Sequence, residues 1–89
     1  MKFDINNYTD IYYAMYCKTE DEARAFCNYL HSIGRAWCSG RSYLDDTNFV
    51  HYEDDNLKIV YYFNNGTFSN VRTAKKKGYI VLNFSDFEW

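Results

Sequence analysis

The sequence predicts an α+β protein of one domain, residues 1–89, in which a single helix packs on one face of a four- or five-stranded, mainly antiparallel sheet. The expected element order is β-α-β-β-β-β. Three observations support this prediction: a capping box at Thr19 is followed by an apolar stripe, Leu57–Phe63 is typical of a central strand, and no proline or low-complexity linker divides the chain.

The first strand is expected directly after a polar, irregular arm of ten residues. Ile11–Cys17 is a continuous apolar and aromatic run. Its length and composition are typical of a largely buried strand.

The helix is predicted from about Glu20 to Ile33. Thr19 stands three residues before Glu22, and three consecutive acidic residues put negative charge at the positive end of the helix dipole. Gly34 suits the left-handed position just past the helix end. The apolar stripe consists of Ala23, Phe26, Cys27, Leu30 and Ile33.

The second half of the chain is expected to form a strand-rich meander. Arg35–Arg41 is predicted to return as a short strand or extended segment, parallel to the first strand through a right-handed crossover. Asn65 and Gly66 predict a type I′ hairpin turn. The other expected elements are a loop at Ser42–Asp46, strands at Asn48–Tyr52, Leu57–Phe63, Thr67–Arg72 and Tyr79–Phe84, a turn at Glu53–Asn56, and a short helical turn at Lys75–Gly78.

Composition restricts the function classes. Ten basic and twelve acidic residues give a net charge of −2, which argues against a globally basic nucleic-acid binder. No apolar run is long enough for a membrane helix and no leader opens the chain, so we expect a cytoplasmic protein without membrane association. Three cysteines, an odd number, fit a reducing compartment.

No catalytic or metal site is predicted, and no cofactor. Cys27 and His31 stand at i and i+4 on the helix, but no C-x-x-C pair accompanies them, so small buried thiols are favoured over zinc. Neither His31 nor His51 lies in a recognisable catalytic motif, which favours a non-enzymatic protein.

Acidic loops are the first candidate functional surface. Five carboxylates fall within eleven positions, without the spacing of a calcium loop. Such loops are either a solvated edge of the sheet or a surface that docks on a basic partner. Because tyrosine is enriched at recognition surfaces, the predicted partner-binding set is Tyr43, Asp45, Asp46, Tyr52, Glu53, Asp54 and Asp55.

A second candidate surface is basic and aromatic. A lysine triplet and nearby arginines would contact phosphate, and a tryptophan would stack on a base. This interpretation predicts a module for a nucleotide signal or a short nucleic acid, against the alternative of a solvated helical turn. Its residues are Trp37, Arg41, Arg72, Lys75, Lys76 and Lys77.

Three segments carry a resemblance to known proteins. Glu22–Tyr29, Trp37-Cys38-Ser39-Gly40 and the Lys77–Phe87 ending resemble a loose group of small phage and mobile-element proteins. The resemblance implies a phage setting inside a host bacterial cell, where small acidic proteins often inhibit host defence, anti-CRISPR proteins among them. It therefore implies an inhibitor that binds a host defence protein, such as a CRISPR-Cas effector. No functional residue is carried over from this group. A phage regulatory or assembly component that forms a homodimer through an exposed strand edge is a third hypothesis.

Overall fold

Four strands form the sheet in the computed structural model, which describes residues 1–49 and 58–89. They are β1 (Tyr13–Tyr16), β2 (Ile59–Tyr62), β3 (Thr67–Asn70) and β4 (Ile80–Asn83), in the order β3-β2-β1-β4. β2 is antiparallel to both neighbours, whereas β4 is parallel to β1. The predicted α+β class and the mainly antiparallel sheet are confirmed.

Helix α1 (Glu20–Ser32) has the predicted capping at its start. The Thr19 hydroxyl accepts a hydrogen bond from the N–H of Glu22 at 3.1 Å, and the Glu22 carboxylate accepts one from the N–H of Lys18 at 2.9 Å. Two backbone donors near the helix start are thereby satisfied. Gly34 follows the helix with φ of 85°, as the sequence predicts.

Helix α1 packs on one face of the sheet. Met15 of β1 pairs with Tyr61 of β2, so both side chains point to that face. Phe26 and Leu30 are fully buried, and the Phe26 ring centroid lies 5.9 Å from that of Tyr61. Ile33 was expected in the buried stripe and is instead 42% exposed, because the helix ends at Ser32 and the backbone of Ile33 leaves the helical path.

A second, short helix covers the opposite face. Helix α2 (Val71–Lys76) places Ala74 in a buried cluster with Ala14, Val60 and Tyr62. The Asn70 side chain caps this helix, and Gly78 follows it with φ of 84°. Gly78 ends this helix as predicted, but the helix begins at Val71, so the strand expected at Thr67–Arg72 ends at Asn70, where the side-chain cap starts α2. The sheet is therefore covered on both faces rather than by a single helix on one face.

The segment after α1 differs from the prediction. Arg35–Arg41 was expected as a short strand or extended segment, but the N–H of Gly40 donates to the carbonyl of Trp37 at 2.8 Å and closes a turn. Gly40 has φ of 90°, which a regular strand does not accommodate. The parallel neighbour of β1 is β4, in the register Tyr13 to Ile80, because the post-helix segment is bonded instead to the β2–β3 turn, where the N–H of Cys38 donates to the carbonyl of Gly66.

The turn between β2 and β3 also differs. Tyr62 pairs with Thr67, which leaves a four-residue loop, and the N–H groups of Asn65 and Gly66 both donate to the carbonyl of Tyr62. A type I′ turn needs positive φ at two central residues, whereas in this loop only Gly66, at 74°, has it.

The N-terminal arm is irregular as expected, but it belongs to the core. Phe3 and Ile5 are only 4% and 7% exposed. The Phe3 ring centroid lies 4.9 Å from that of Trp89, and the N–H of Phe3 donates to the carbonyl of Glu88 at 3.2 Å. The two ends of the chain therefore close one side of the core on α1.

The expected strand at Asn48–Tyr52 is absent at its first residue, because Asn48 has a left-handed φ of 59°. Positions 50–52 of that prediction, and the turn at Glu53–Asn56, lie outside the described residues. None of the helices in the described part of the chain combines the length and apolar character that a transmembrane span requires.

Candidate functional site

A cleft of about 410 Å³ opens between the turn that follows α1 and the start of β3. It lies on the same side of the sheet as α1. Among the residues that the structure describes, its lining combines aromatic side chains with polar groups and a cation: Trp37, Cys38, Ser39, Arg41, Ser42, Asp46, Asn48, Gly66, Thr67 and Phe68.

One backbone contact positions the two walls. The N–H of Cys38 donates to the carbonyl of Gly66 at 2.9 Å. A Cβ atom at Gly66 would lie 2.6 Å from the backbone nitrogen of Cys38, closer than side chains tolerate. Glycine is therefore required at this position both by its φ of 74° and by the close approach of the two turns.

Trp37 and Phe68 form the apolar floor. Their ring centroids are 5.6 Å apart in an edge-to-face arrangement, which is a favourable aromatic geometry. The Trp37 indole N–H donates to the carbonyl of Asp46 at 3.0 Å, and Tyr43 packs against Trp37 at 4.4 Å between centroids. Trp37 is only 8% exposed, which contradicts its expected role as an open stacking surface for a base.

The rim carries opposite charges. The Asp46 carboxylate is exposed and accepts a hydrogen bond from the N–H of Asn48 at 2.7 Å. Arg41 is also exposed, and within residues 1–49 and 58–89 no carboxylate forms a salt bridge with it. Arg41 lines the cleft, and a guanidinium is a side chain that can bind an anionic ligand through charge-assisted hydrogen bonds.

The structure places the predicted partner-binding residues unequally. Tyr43 is 1% exposed, which contradicts its expected role as a surface contact, and burial raises its pKa to about 12. Its ring packs under Trp37 because the loop folds back over the sheet. Asp45 and Asp46 are exposed as expected. Tyr52, Glu53, Asp54 and Asp55 lie outside the described residues.

The alternative ligand-binding set is divided between the two sides of the sheet. Trp37 and Arg41 both line the cleft. Arg72, Lys75 and Lys76 belong to α2, and Lys77 follows it, so these four exposed cations lie with the helix on the opposite face. A single small ligand in the cleft would contact the first pair only.

Sequence reasoning did not identify the other wall of the cleft. Thr67 and Phe68 were assigned only to a strand, Asn48 only to the start of another, and Ser39 to the short strand or extended segment after α1. The one available signal was Gly66, whose requirement for positive φ marks a close backbone approach as well as a turn.

Beneath the cleft lies a buried polar contact that is structural. The Tyr61 hydroxyl donates to the carbonyl of Thr47 at 2.5 Å and lies beside the Cys27 thiol. Burial raises the pKa of Cys27 to about 12 and raises those of Tyr61 and Cys17 as well. These groups therefore stay protonated at neutral pH. Among the described residues, no group of three or more His, Cys, Asp or Glu side chains is arranged to hold a metal ion.

A serine and a histidine approach each other beside the cleft. The Ser42 hydroxyl lies 3.4 Å from Nδ1 of His31, at the outer limit of a hydrogen bond, and both residues are outside the core. A catalytic pair also needs a third group that orients the histidine ring. Within the described part of the chain, no hydrogen bond reaches the other nitrogen of His31.

Comparisons of the chain with protein-family models, with curated proteins and with solved structures found no match.

Proposed function

We propose that the protein is a non-catalytic binding protein whose cleft takes a mononucleotide. The observation that carries the proposal is the cleft itself: its lining joins the aromatic side chains of Trp37 and Phe68 with the exposed cation of Arg41. Its volume of about 410 Å³ falls within the range of small-molecule sites.

The two ends of a mononucleotide match the two parts of the cleft. A nucleobase is flat and apolar on its faces, and the apolar floor of the cleft, to which Trp37 and Phe68 belong, would receive it. The phosphate would pair with the Arg41 guanidinium through charge-assisted hydrogen bonds. Ser39 and Asn48 offer polar groups for the base edge or the sugar.

Thermal unfolding and calorimetric titration test this proposal directly. A panel of 5′ and cyclic mononucleotides is added in excess, with inorganic phosphate as a separate arm, and a binding nucleotide raises Tm. Arg41→Ala should abolish the shift, whereas Arg72→Ala should retain it because Arg72 lies on the opposite side of the sheet. Absence of a shift with every mononucleotide, or equal loss in both variants, overturns the proposal. A Tm shift with inorganic phosphate that equals the shift with the nucleotides also overturns the proposal, because the aromatic floor would then contribute nothing to binding.

A second function is favoured by one feature of the loop beside the cleft. Leu44 is 56% exposed and is followed by the exposed carboxylates of Asp45 and Asp46. An exposed leucine next to two acids is a combination suited to docking on a basic, partly apolar protein surface. The partner would be a host defence protein, as the resemblance to phage proteins implies.

Inhibition by docking has its own test. The charge reversals Asp45→Lys and Asp46→Lys, combined with Leu44→Ser, should abolish salt-sensitive inhibition of a CRISPR effector in a cleavage assay. The matched control Asp4→Lys reverses an exposed charge on the N-terminal arm and should leave inhibition intact. No inhibition by the unmodified protein, or equal inhibition by the triple variant, rejects this assignment.

A further inference from the structure

Strand β4 forms one edge of the described sheet. On one side β4 pairs with β1 in the parallel direction, and the N–H of Ile80 donates to the carbonyl of Tyr12 at 2.8 Å. Backbone groups alternate along a strand, so Ile80 and Leu82 face β1, whereas Val81 and Asn83 turn their N–H and C=O groups to the outer edge. This edge can therefore accept another strand.

The composition of β4 does nothing to prevent such pairing. Natural edge strands carry charged residues, proline or bulges that block further strands, and Ile-Val-Leu-Asn contains none of these. Ile80 is 53% exposed, and Tyr12 beside it is 52% exposed. The Tyr12 ring also contacts Tyr79, with centroids 5.6 Å apart. Apolar surface therefore accompanies the open backbone.

Charges of opposite sign flank the strand at its two ends. Lys76 and Lys77 precede β4, and Asp86 and Glu88 follow it, all of them exposed. When β4 of a second copy pairs in the antiparallel direction, the basic end of each strand lies near the acidic end of the other, so the favourable charge contact forms at both ends. A parallel copy would bring like charges together, which disfavours association.

We infer that the protein forms a homodimer by antiparallel pairing of β4 with β4 of a second copy. A two-fold axis perpendicular to the sheet passes beside Val81, which pairs with Val81 of the partner subunit through its outward N–H and C=O. Ile80 then faces the partner's Leu82, and its exposed side chain gains a cross-strand neighbour. The two sheets join into one continuous sheet of at least eight strands, with the clefts beside β3 on the far edges.

Light scattering after size-exclusion chromatography tests the oligomeric state. The expected mass is twice the chain mass of 10.7 kDa. Ile80→Lys places a charge on the edge and should raise the dimer dissociation constant by about tenfold or more. Val81→Pro removes the outward N–H while leaving the bonds to β1 in place, and it should give a monomer. Circular dichroism verifies that both variants stay folded.

The matched control is Ile33→Lys, the same substitution at an exposed isoleucine just past the end of α1. It should leave the dimer unchanged. A wild-type protein that stays monomeric at its highest soluble concentration overturns the inference. So does a dimer that survives Ile80→Lys and Val81→Pro, because it must use another surface.

A charge-swap experiment tests the antiparallel direction. One variant carries Lys76→Glu with Lys77→Glu, and the other carries Asp86→Lys with Glu88→Lys. Each alone places like charges at both ends of the paired strands and should be monomeric, whereas an equimolar mixture should form a heterodimer that native mass spectrometry resolves by mass. Failure of the mixture to associate, or unchanged homodimers of either variant, contradicts antiparallel pairing.

Discussion

The backbone amide of Cys38 donates a hydrogen bond to the carbonyl of Gly66, and this contact joins the turn after α1 to the turn between β2 and β3. The two residues are 28 positions apart. The cleft lies along the line where their turns meet. Its shape therefore depends on how closely the two backbones approach.

Gly66→Ala should test that dependence. The added Cβ would lie 2.6 Å from the Cys38 nitrogen at a backbone φ of 74°, so we expect unfolding in urea to become easier. The expected loss is at least about 2 kcal/mol, since left-handed backbone alone costs ~1–2 kcal/mol for other residues. Gly40→Ala is the control, with φ of 90° and no atom within 4 Å of the new Cβ. Equal losses of unfolding free energy in Gly66→Ala and Gly40→Ala would show that the close approach of the two backbones does not contribute to the cost.

The Asn64 side chain links the β2–β3 loop to the N-terminal arm and to the segment after α1, and Asn64→Asp should weaken these links. Its amide nitrogen donates to the carbonyls of Tyr8 and Asp10 at 2.6 and 2.7 Å, and its oxygen accepts from Arg35 at 3.2 Å. A carboxylate cannot donate and would face two carbonyl oxygens, so we expect a loss of about 2 kcal/mol in chemical denaturation.

Asn65→Asp provides the comparison for this variant. Its side-chain oxygen accepts from the N–H and hydroxyl of Thr67, and a carboxylate accepts equally well. The stability of Asn65→Asp should therefore change little. If Asn64→Asp leaves the free energy of unfolding unchanged, the N-terminal arm is not held by this amide.

The three thiols should react at very different rates. Cys17 and Cys27 are 1% exposed, and burial raises the pKa of both, so little thiolate forms at pH 8. Cys38 is exposed in the lining of the cleft. We expect one fast equivalent with a disulfide reagent in native protein and three in urea, and Cys38→Ser should remove the fast one. Two or more fast thiols in the folded protein would contradict the packing of α1 on the sheet.

Stability should fall in alkali. In the folded protein, burial raises the pKa of Cys27 from 9.0 and that of Tyr43 from 10.0, each to about 12. Above pH 9 the unfolded chain therefore releases protons that the folded chain keeps, and the free energy of unfolding decreases as pH rises towards 12. Below pH 9 these groups contribute their full stabilisation.

Tyr43→Phe checks the assignment, because it removes one of the titrating hydroxyls. Urea denaturation between pH 8 and about pH 11 should give a shallower decrease for this variant than for the wild type, by up to ~1.4 kcal/mol per pH unit for each group removed. Tyr12→Phe, at an exposed tyrosine, should leave the slope of the wild type unchanged. Identical slopes for Tyr43→Phe and wild type would place the alkaline sensitivity elsewhere.

Local elements were predictable from residues close together in the chain. The start of α1 follows from Thr19 and Glu22, since a capping box acts over one helical turn. The buried character of β2 and the glycine after α2 likewise follow from neighbouring residues. No cleft was predicted from the sequence, although two residues of its lining, Trp37 and Arg41, belong to the alternative ligand-binding set and lie on the same turn.

By itself, the sequence determined the α+β class, the extent of α1 to within one residue, and the exposure of Asp45 and Asp46. Only the tertiary structure decided that β4 rather than the post-helix segment pairs with β1, and that Tyr43 is buried beneath Trp37. It also decided that Phe68 completes the cleft. The physical reason is range: capping and periodicity act over a few residues, whereas pairing and burial depend on segments that meet only when the chain closes on itself.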